Sequence, residues 1–268
     1  MRRLIISIAV LVLVCAALLW SWSSWSSDIK KVGVAVYSDE GVWDDSVKAL
    51  VAMFSWMHVD TTLVSADYVN THNLDGFNLL CIPGGDMYEY GNSISSTGRQ
   101  NIKNFLSKGG GYIGVCGGAY YASKAIYWRG APLPVQSLGI FPGSASGPVD
   151  QIMPYPNYTM CKVNIVKTNH PITVGQPSSE WVLYYWGPAL SPNVGTNVTV
   201  LGNYDLSNAT VMVAFEYGAG RVFLIGTHPE IEEDSTRDNV VFGDDLNDQG
   251  SEWELMRTAF LWCTKRAQ

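Results

Sequence analysis

The sequence predicts an α/β fold, in which a mostly parallel β-sheet carries helices on both faces and an N-terminal transmembrane helix precedes the sheet. Short, continuously apolar runs recur along the first half and alternate with segments of helical periodicity. This alternation is typical of parallel strands that are buried on both faces. Glycine-rich turns follow several of these runs, and an uncharged apolar run stands near the N-terminus. These observations predict a flavodoxin-like arrangement behind a membrane anchor.

The N-terminal segment is the basis for the predicted anchor. Residues 4–20 are uncharged and just long enough to cross a bilayer, and Arg2 and Arg3 precede them. Basic residues favour the cytoplasmic side, so the rest of the chain is expected outside the cytoplasm. A cleaved signal peptide would have a similar pattern and would make the protein secreted. We therefore divide the chain into an anchor or signal segment with a Ser/Trp stem at residues 1–27 and a domain at residues 28–268.

Apolar runs and helix signals define the elements of the first half. Strands are predicted at the short apolar runs, which cover residues 31–37, 61–65, 77–82 and 112–116. Helices are predicted between them, at residues 44–57, 97–107 and 118–125. Asp44 and Asp45 are favourable residues at a helix N-terminus, and the apolar residues that follow them have helical spacing. Glycines at positions 109–111 end the second of these helices.

The second half is rich in predicted strands. They cover residues 161–168, 180–186, 197–204, 210–217 and 221–227. The Gly-Ala-Gly sequence at residues 218–220 separates the last two strands and predicts a hairpin. An amphipathic helix at residues 251–265 completes the domain, and its apolar face is expected to pack against the sheet.

Charge and cysteine content narrow the possible partners. The formal net charge of −7 and the lack of clustered Lys and Arg argue against nucleic-acid binding, because phosphate binding needs clustered positive charge. The cysteines have no metal-binding spacing, and we expect neither a metal nor a cofactor. In an oxidising compartment, Cys161 and Cys263 could form a disulfide. Three glycosylation sequons, at Asn157, Asn197 and Asn208, are compatible with an exported glycoprotein.

One cysteine stands where a predicted strand turns into a helix. Cys116 lies within Gly-Val-Cys-Gly-Gly at residues 114–118, which has the G-x-nucleophile-x-G form of a nucleophile elbow. Such a turn needs small flanking residues, because the chain passes close to itself. It would present the thiol at the carboxyl edge of the sheet, where the positive end of the following helix stabilises a thiolate. The alternative is a buried structural cysteine.

Two further segments could supply partners for this thiol. Gly84 and Gly85 follow the third predicted strand, and their N–H groups could form an oxyanion hole with that of Gly117. His228 and Glu230 follow the last strand, so His228 could accept the thiol proton while Glu230 orients the imidazole. Each segment alone is also compatible with an ordinary turn or an ordinary histidine. All of them are expected at the carboxyl ends of parallel strands, where such sheets bind ligands.

The sequences IPGG, GYIGVCGGAYYAS and GTHPE resemble the three signatures of the class I glutamine amidotransferase-like superfamily. The run from about residue 32 to residue 147 is more narrowly similar to the N-terminal domain found on eukaryotic biotin–protein ligases and in stand-alone prokaryotic proteins. The resemblance implies that Cys116 is the nucleophile, that His228 and Glu230 are its partners, and that the three glycines above are oxyanion donors. Biotin ligase activity is not expected, because the sequence contains no biotin-ligating domain.

Three functions are compatible with these residues. The first is a cysteine hydrolase that cleaves an amide bond of a small molecule or peptide through a thioester on Cys116. The second is a ligand-binding or scaffold module on the same fold, whose cysteine is not catalytic. The third is a glutaminase that supplies ammonia to a separate partner in the cytoplasm. The sequence favours the first function, in a membrane-anchored protein whose domain is extracytoplasmic.

Overall fold

A computed structural model describes residues 33–233, 235–246 and 250–266. The elements of the first half are β1 (Val34–Tyr37), α1 (Asp44–Trp56), β2 (Thr61–Val64), α2 (Ala66–Thr71), β3 (Leu79–Ile82), α3 (Met87–Ser93), α4 (Ser96–Ser107), β4 (Gly111–Val115), α5 (Gly117–Ala122), β5 (Ser123–Trp128) and β6 (Ala131–Pro132). Those of the second half are β7 (Phe141–Gly147), β8 (Thr159–Ile165), β9 (Ser179–Tyr184), β10 (Ala189–Pro192), β11 (Val198–Tyr204), β12 (Thr210–Tyr217), β13 (Gly220–Ile225) and α6 (Trp253–Cys263).

The larger of two sheets is mixed. Its nine strands lie in the order β2-β1-β3-β4-β13-β12-β11-β8-β9. The strands from β2 to β13 are parallel and follow the order of flavodoxin-like sheets, whereas the pairs from β13 to β9 are antiparallel. The prediction of a mostly parallel sheet is therefore corrected to a sheet with a parallel and an antiparallel half. A tight turn joins β12 to β13, as predicted, and such turns permit only antiparallel pairing.

The predicted N-terminal transmembrane helix is also corrected. Within the part of the chain that the structure describes, no helix has the length and apolar character needed to span a membrane. Residues 4–20, on which this prediction and the cleaved-signal alternative rest, lie outside the described residues. The supported fold class is thus an α/β fold with mixed sheets, and the described residues include no transmembrane helix. The membrane-anchored localisation, with an extracytoplasmic domain, depended on that helix and is withdrawn with it.

A smaller sheet was not expected from the sequence pattern. Its four strands lie in the order β10-β7-β5-β6. The helix predicted at residues 118–125 ends at Ala122, and β5 begins at the next residue. Strand β7 has the sequence Phe-Pro-Gly-Ser-Ala-Ser-Gly, whose small residues have low β-propensity although they alternate between buried and half-buried positions. The strand pairing here depends on tertiary contacts that local propensity does not reveal.

Alternate residues of the parallel strands face two helical layers. Val34 and Val36 of β1 belong to a core cluster with residues of α1 and α6. Ala35 and Tyr37 of the same strand belong to a second cluster with residues of α2, α3, α4 and α5. This alternation follows from the two-residue period of a strand, and it explains why the strands read as continuously apolar. The two layers leave the carboxyl edge of the parallel strands open for a site.

The remaining cysteines and the sequons have simple environments. Cys161 and Cys263 are buried free thiols, so the structure contains no disulfide between them. Burial raises the pKa of both thiols, which makes them poor nucleophiles. The sequon residues Asn157, Asn197 and Asn208 are exposed. Their glycosylation stays a prediction.

Candidate active site

Cys116 occupies a strained corner between β4 and α5. Its φ of 46° and ψ of −101° lie in a backbone region that residues other than glycine rarely adopt. The corner is possible because its neighbours lack side chains. A Cβ on Gly114 would lie 2.8 Å from the carbonyl carbon of Gly118, and a Cβ on Gly118 would overlap the carbonyl oxygen of Ile82. The thiol side chain is only 6% exposed.

The glycines after β3 lie directly against this corner. A Cβ on Gly117 would overlap the carbonyl oxygen of Gly85, so the two backbones can approach only as glycines. Gly85 has a φ of 151°, which also favours glycine. The N–H of Gly84 donates to Oγ of Ser46 at 2.9 Å. Within the described residues, the N–H groups of Gly85 and Gly117 donate no hydrogen bond.

A bridge between two loops fixes the segment that contains these glycines. Val42 and Gly85 face each other as an isolated antiparallel pair. The N–H of Trp43 donates to the carbonyl oxygen of Gly84 at 2.9 Å, and the N–H of Asp86 donates to that of Gly41 at 2.7 Å. These bonds lie on either side of Gly85 and leave its own N–H unused.

His228 and Glu230 form a buried hydrogen-bonded pair. Nδ1 of His228 lies 2.9 Å from Oε1 of Glu230, and both side chains are almost completely excluded from solvent. Ser46 of α1 is also buried, and its hydroxyl donates to the same carboxylate oxygen at 2.5 Å. The hydrogen bonds therefore run from the N–H of Gly84 through Ser46 to Glu230, which in turn holds the imidazole. Nε2 of His228 is left without a hydrogen-bond partner among the described residues.

Charge raises the pKa of His228. Burial by itself would lower it, because burial disfavours the imidazolium. The Cys116 thiolate and then the Glu230 carboxylate outweigh burial and raise the pKa to about 10 from an ordinary value of 6.5. The pKa of His228 therefore depends on the charge of Cys116. The thiol hydrogen bond described by the structure goes to the carbonyl oxygen of Tyr185, at 3.6 Å.

Cys116 and His228 open into one aromatic pocket of about 600 Å³. The Trp43 ring meets the His228 imidazole edge-on, with ring centroids 4.9 Å apart. Further rings line the pocket; they belong to Tyr88, Tyr120, Trp128, Tyr155, Tyr185 and Trp186. Trp128 ends β5, so the smaller sheet supplies part of the wall. The volume is sufficient for a small-molecule ligand.

The structure brings all six residues singled out from the sequence to one edge of the sheet. Cys116, Gly85 and His228 line the pocket, and Glu230, Gly84 and Gly117 support them. Sequence reasoning missed Ser46, because a serine near a helix start is usually a capping residue. It also missed Trp43, whose position one residue before Asp44 carried no distinguishing signal. Three-dimensional contacts alone reveal both residues.

The fold is of the glutamine amidotransferase-like type. The family model for the N-terminal region of biotin–protein ligase matches residues 32–264, and the chain belongs to that family. The resemblance drawn from the sequence motifs is thereby confirmed.

The chain is also similar to two curated proteins and, in fold, to solved structures. The chain is 27% identical to a biotin–protein ligase of Schizosaccharomyces pombe over 170 residues, which is 59% of this chain and 26% of that protein. It is 31% identical to an uncharacterised protein of Chlamydia muridarum over 126 residues, 43% of this chain and 48% of that one. The chain thus spans between about a quarter and a half of the length of these relatives.

The fold is similar to a glutamine amidotransferase of Thermotoga maritima, with a TM-score of 0.61 and 13% identity over 88% of this chain and 99% of that chain. A ThuA-like protein of Bacteroides uniformis gives a TM-score of 0.56 and 13% identity over 87% and 91% of the two chains.

Proposed function

We propose that this protein is a cysteine hydrolase that cleaves an amide bond of a small molecule or peptide. The observation that carries the proposal is the meeting of Cys116 and His228 in one pocket, with His228 held by the buried Glu230 carboxylate. A thiol, a base and a group that orients the base are the three parts of nucleophilic amide hydrolysis. Biotin ligation is not proposed, because the matched family is the N-terminal region of the ligases.

The residues have defined roles in the reaction. The Cys116 thiolate attacks the amide carbon, a C–S bond forms, and the carbonyl electrons move to oxygen. We assign the oxyanion to the N–H groups of Gly85 and Gly117, since that of Gly84 is committed to Ser46. Each such donor stabilises a transition state by about 3 kcal/mol in comparable enzymes.

Proton transfer completes the two halves of the cycle. His228 gives the proton from Nε2 to the leaving nitrogen as the C–N bond breaks, which leaves a thioester on Cys116. The imidazole then takes a proton from water, the hydroxide attacks the thioester carbon, and the C–S bond breaks. A carboxylic acid leaves, and the thiolate–imidazolium pair is restored. Glu230 stabilises the imidazolium throughout.

Selective alkylation tests the proposal. Iodoacetamide at neutral pH, followed by peptide mass spectrometry, is expected to label Cys116 before the buried thiols of Cys81, Cys161 and Cys263. His228→Asn should slow this labelling by about tenfold or more, because a thiolate without its imidazolium is less stable. His58→Asn is the matched control: His58 is exposed and has a φ of 59°, which asparagine tolerates. Equal labelling rates in the parent and His228→Asn proteins would contradict the proposal.

One observation favours a second function. The Cys116 thiol donates its hydrogen bond to the carbonyl oxygen of Tyr185 and is nearly buried. This geometry suits a ligand-binding module whose cysteine is structural. Such a module would bind ligands in the pocket while Cys116→Ser leaves their affinity unchanged and the parent protein forms no thioester. Intact-protein mass spectrometry with amide substrates separates the two functions.

A further inference from the structure

The described pocket lining includes an acidic residue and neither Lys nor Arg. Besides the Cys116–His228 pair, Asp86 is the single ionisable acid or base other than tyrosine among the described lining residues, and no Lys or Arg lines the pocket. Aromatic side chains make up much of the remaining wall, including those of Trp43, Tyr88 and Tyr185. A ring face and a carboxylate both attract cations, whereas neither attracts a carboxylate.

Asp86 is held in place next to the proposed oxyanion site. It directly follows Gly85, and its N–H donates to the carbonyl oxygen of Gly41 at 2.7 Å. Its Oδ1 accepts a hydrogen bond from the N–H of Tyr88 at 2.8 Å and so caps α3. The side chain is exposed and forms no ion pair with another described residue. Asp86 therefore places a negative charge at the wall of the pocket, on the residue that follows Gly85.

This charge would oppose catalysis unless the substrate balances it. An oxyanion that develops at Gly85 and Gly117 is repelled by an unpaired carboxylate on the adjacent residue. A cation on the substrate that pairs with Asp86 removes this repulsion and adds an attraction. The aromatic rings can hold the same cation by its contact with their faces.

We infer that the pocket takes an amide that carries a cationic amine and no carboxylate, with Asp86 as the residue that selects it. The inference rests on the proposed amide hydrolysis and names its substrate class. It excludes free glutamine as the preferred substrate, because the α-carboxylate of glutamine would find no cation among the described lining residues other than His228, which is paired with Cys116 and Glu230. It therefore separates this site from a glutaminase that supplies ammonia.

One nearby cation needs a control. The guanidinium of Arg129 lies 5.5 Å from the ring centroid of Tyr155, which lines the pocket, but Arg129 itself is exposed and does not line it. If this guanidinium received a substrate carboxylate, Arg129→Gln would weaken the binding of carboxylate ligands. The inference predicts that Arg129→Gln leaves all ligand affinities within twofold, since an exposed charge outside the pocket contributes little.

Three small amides test the inference directly. Glutamine has an amine and a carboxylate, 4-aminobutanamide keeps only the amine, and glutaramate keeps only the carboxylate. Their affinities are measured by the change in tryptophan fluorescence, because Trp43, Trp128 and Trp186 line the pocket. The same ligands are then tested for protection of Cys116 from iodoacetamide. We expect 4-aminobutanamide to bind about tenfold or more tightly than either carboxylate ligand, as a single well-placed charge contact allows.

A matched pair of variants tests the role of Asp86. Asp86→Asn keeps a cap for the N–H of Tyr88 and removes only the charge, so the fold is retained. This variant should bind 4-aminobutanamide about tenfold more weakly and should bind neutral butanamide with unchanged affinity. Glu89→Gln is the matched control, because it removes a carboxylate of α3 that does not line the pocket. It should change the affinity for neither ligand.

The outcomes are distinguishable from failure of the proposed function. The inference is overturned if glutamine binds as tightly as 4-aminobutanamide, if neither binds, or if Asp86→Asn affects neutral and cationic amides equally. Fluorescence reports binding without any reaction at Cys116, so an unreactive thiol would overturn the hydrolase while the ligand preference stayed measurable. A reactive thiol that glutamine protects best would overturn this inference and leave the hydrolase intact.

Discussion

Replacement of Ser46 by alanine should both destabilise the protein and slow the reaction at Cys116. The hydroxyl of Ser46 accepts from the N–H of Gly84 and donates to Oε1 of Glu230, and the side chain is completely buried. Ser46→Ala removes both hydrogen bonds and cannot admit water without rearrangement. The N–H of Gly84 loses its partner, whereas the carboxylate oxygen of Glu230 keeps its bond to His228.

The expected magnitude follows from these contacts. A buried donor that loses its partner costs about 1–3 kcal/mol, and a hydrogen bond to a charged group contributes about 1.5–3 kcal/mol. Alanine regains about 0.5 kcal/mol because it is the better helix former in α1. The free energy of unfolding should therefore fall by about 2–5.5 kcal/mol. The midpoint of urea unfolding measures this change.

The alkylation rate of Cys116 is a second, independent measurement on the Ser46→Ala variant. Glu230 would hold the imidazole with one positioning contact fewer, so alkylation of Cys116 should slow by about tenfold, in the direction of His228→Asn. Ser55→Ala is the matched control, because Ser55 is an exposed serine of the same helix. A loss of unfolding free energy below about 0.5 kcal/mol, with an unchanged alkylation rate, would refute this account of the hydrogen-bond chain.

Three further predictions concern other parts of the site and the helix that packs beneath it. Gly84→Ala should slow Cys116 alkylation by about tenfold or more, because its Cβ would overlap Cε1 of His228 and displace the imidazole. The pKa of His228 is raised to about 10 by the Cys116 and Glu230 charges against the opposing effect of burial. The stability from this protonation is complete below pH 6.5 and is lost as pH rises through about 10; urea unfolding should show the decline in the parent protein and not in His228→Asn. Burial, followed by neighbouring carboxylates, raises the pKa of Glu252 well above 4.5, so stability falls as pH rises above that value. Glu252→Gln should therefore raise the free energy of unfolding at pH 8, whereas the exposed Glu254→Gln should not.

The parts of the site that the sequence predicts are those that need unusual local geometry. The corner at Cys116 requires glycines on both sides, and the loop after β3 requires Gly85, so both leave a mark in the sequence itself. His228 and Glu230 are two residues apart on one segment, so their pairing can be predicted from the sequence. Each of these features is encoded within a few consecutive residues.

Features that depend on distant contacts are not visible in the same way. Ser46 and Glu230 are 184 positions apart, and nothing local marks the serine as their meeting point. The direction of strand pairing in the second half and the existence of the smaller sheet depend on which strands become neighbours. Small residues in β7 hide that strand from propensity. Glu232, Glu233 and Asp238 are buried, although acidic residues are usually exposed and nothing local marks these as exceptions.

Both sheets contribute residues to the wall of the pocket. Cys116, His228 and Gly85 follow strands of the larger sheet, whereas Trp128 and Leu133 adjoin β5 and β6 of the smaller one. The smaller sheet can therefore change its sequence, and with it the shape of the wall, while the reacting groups keep their positions. In evolutionary terms, the proposed hydrolase can change the shape of its pocket by drift in the smaller sheet while Cys116 and His228 stay in place.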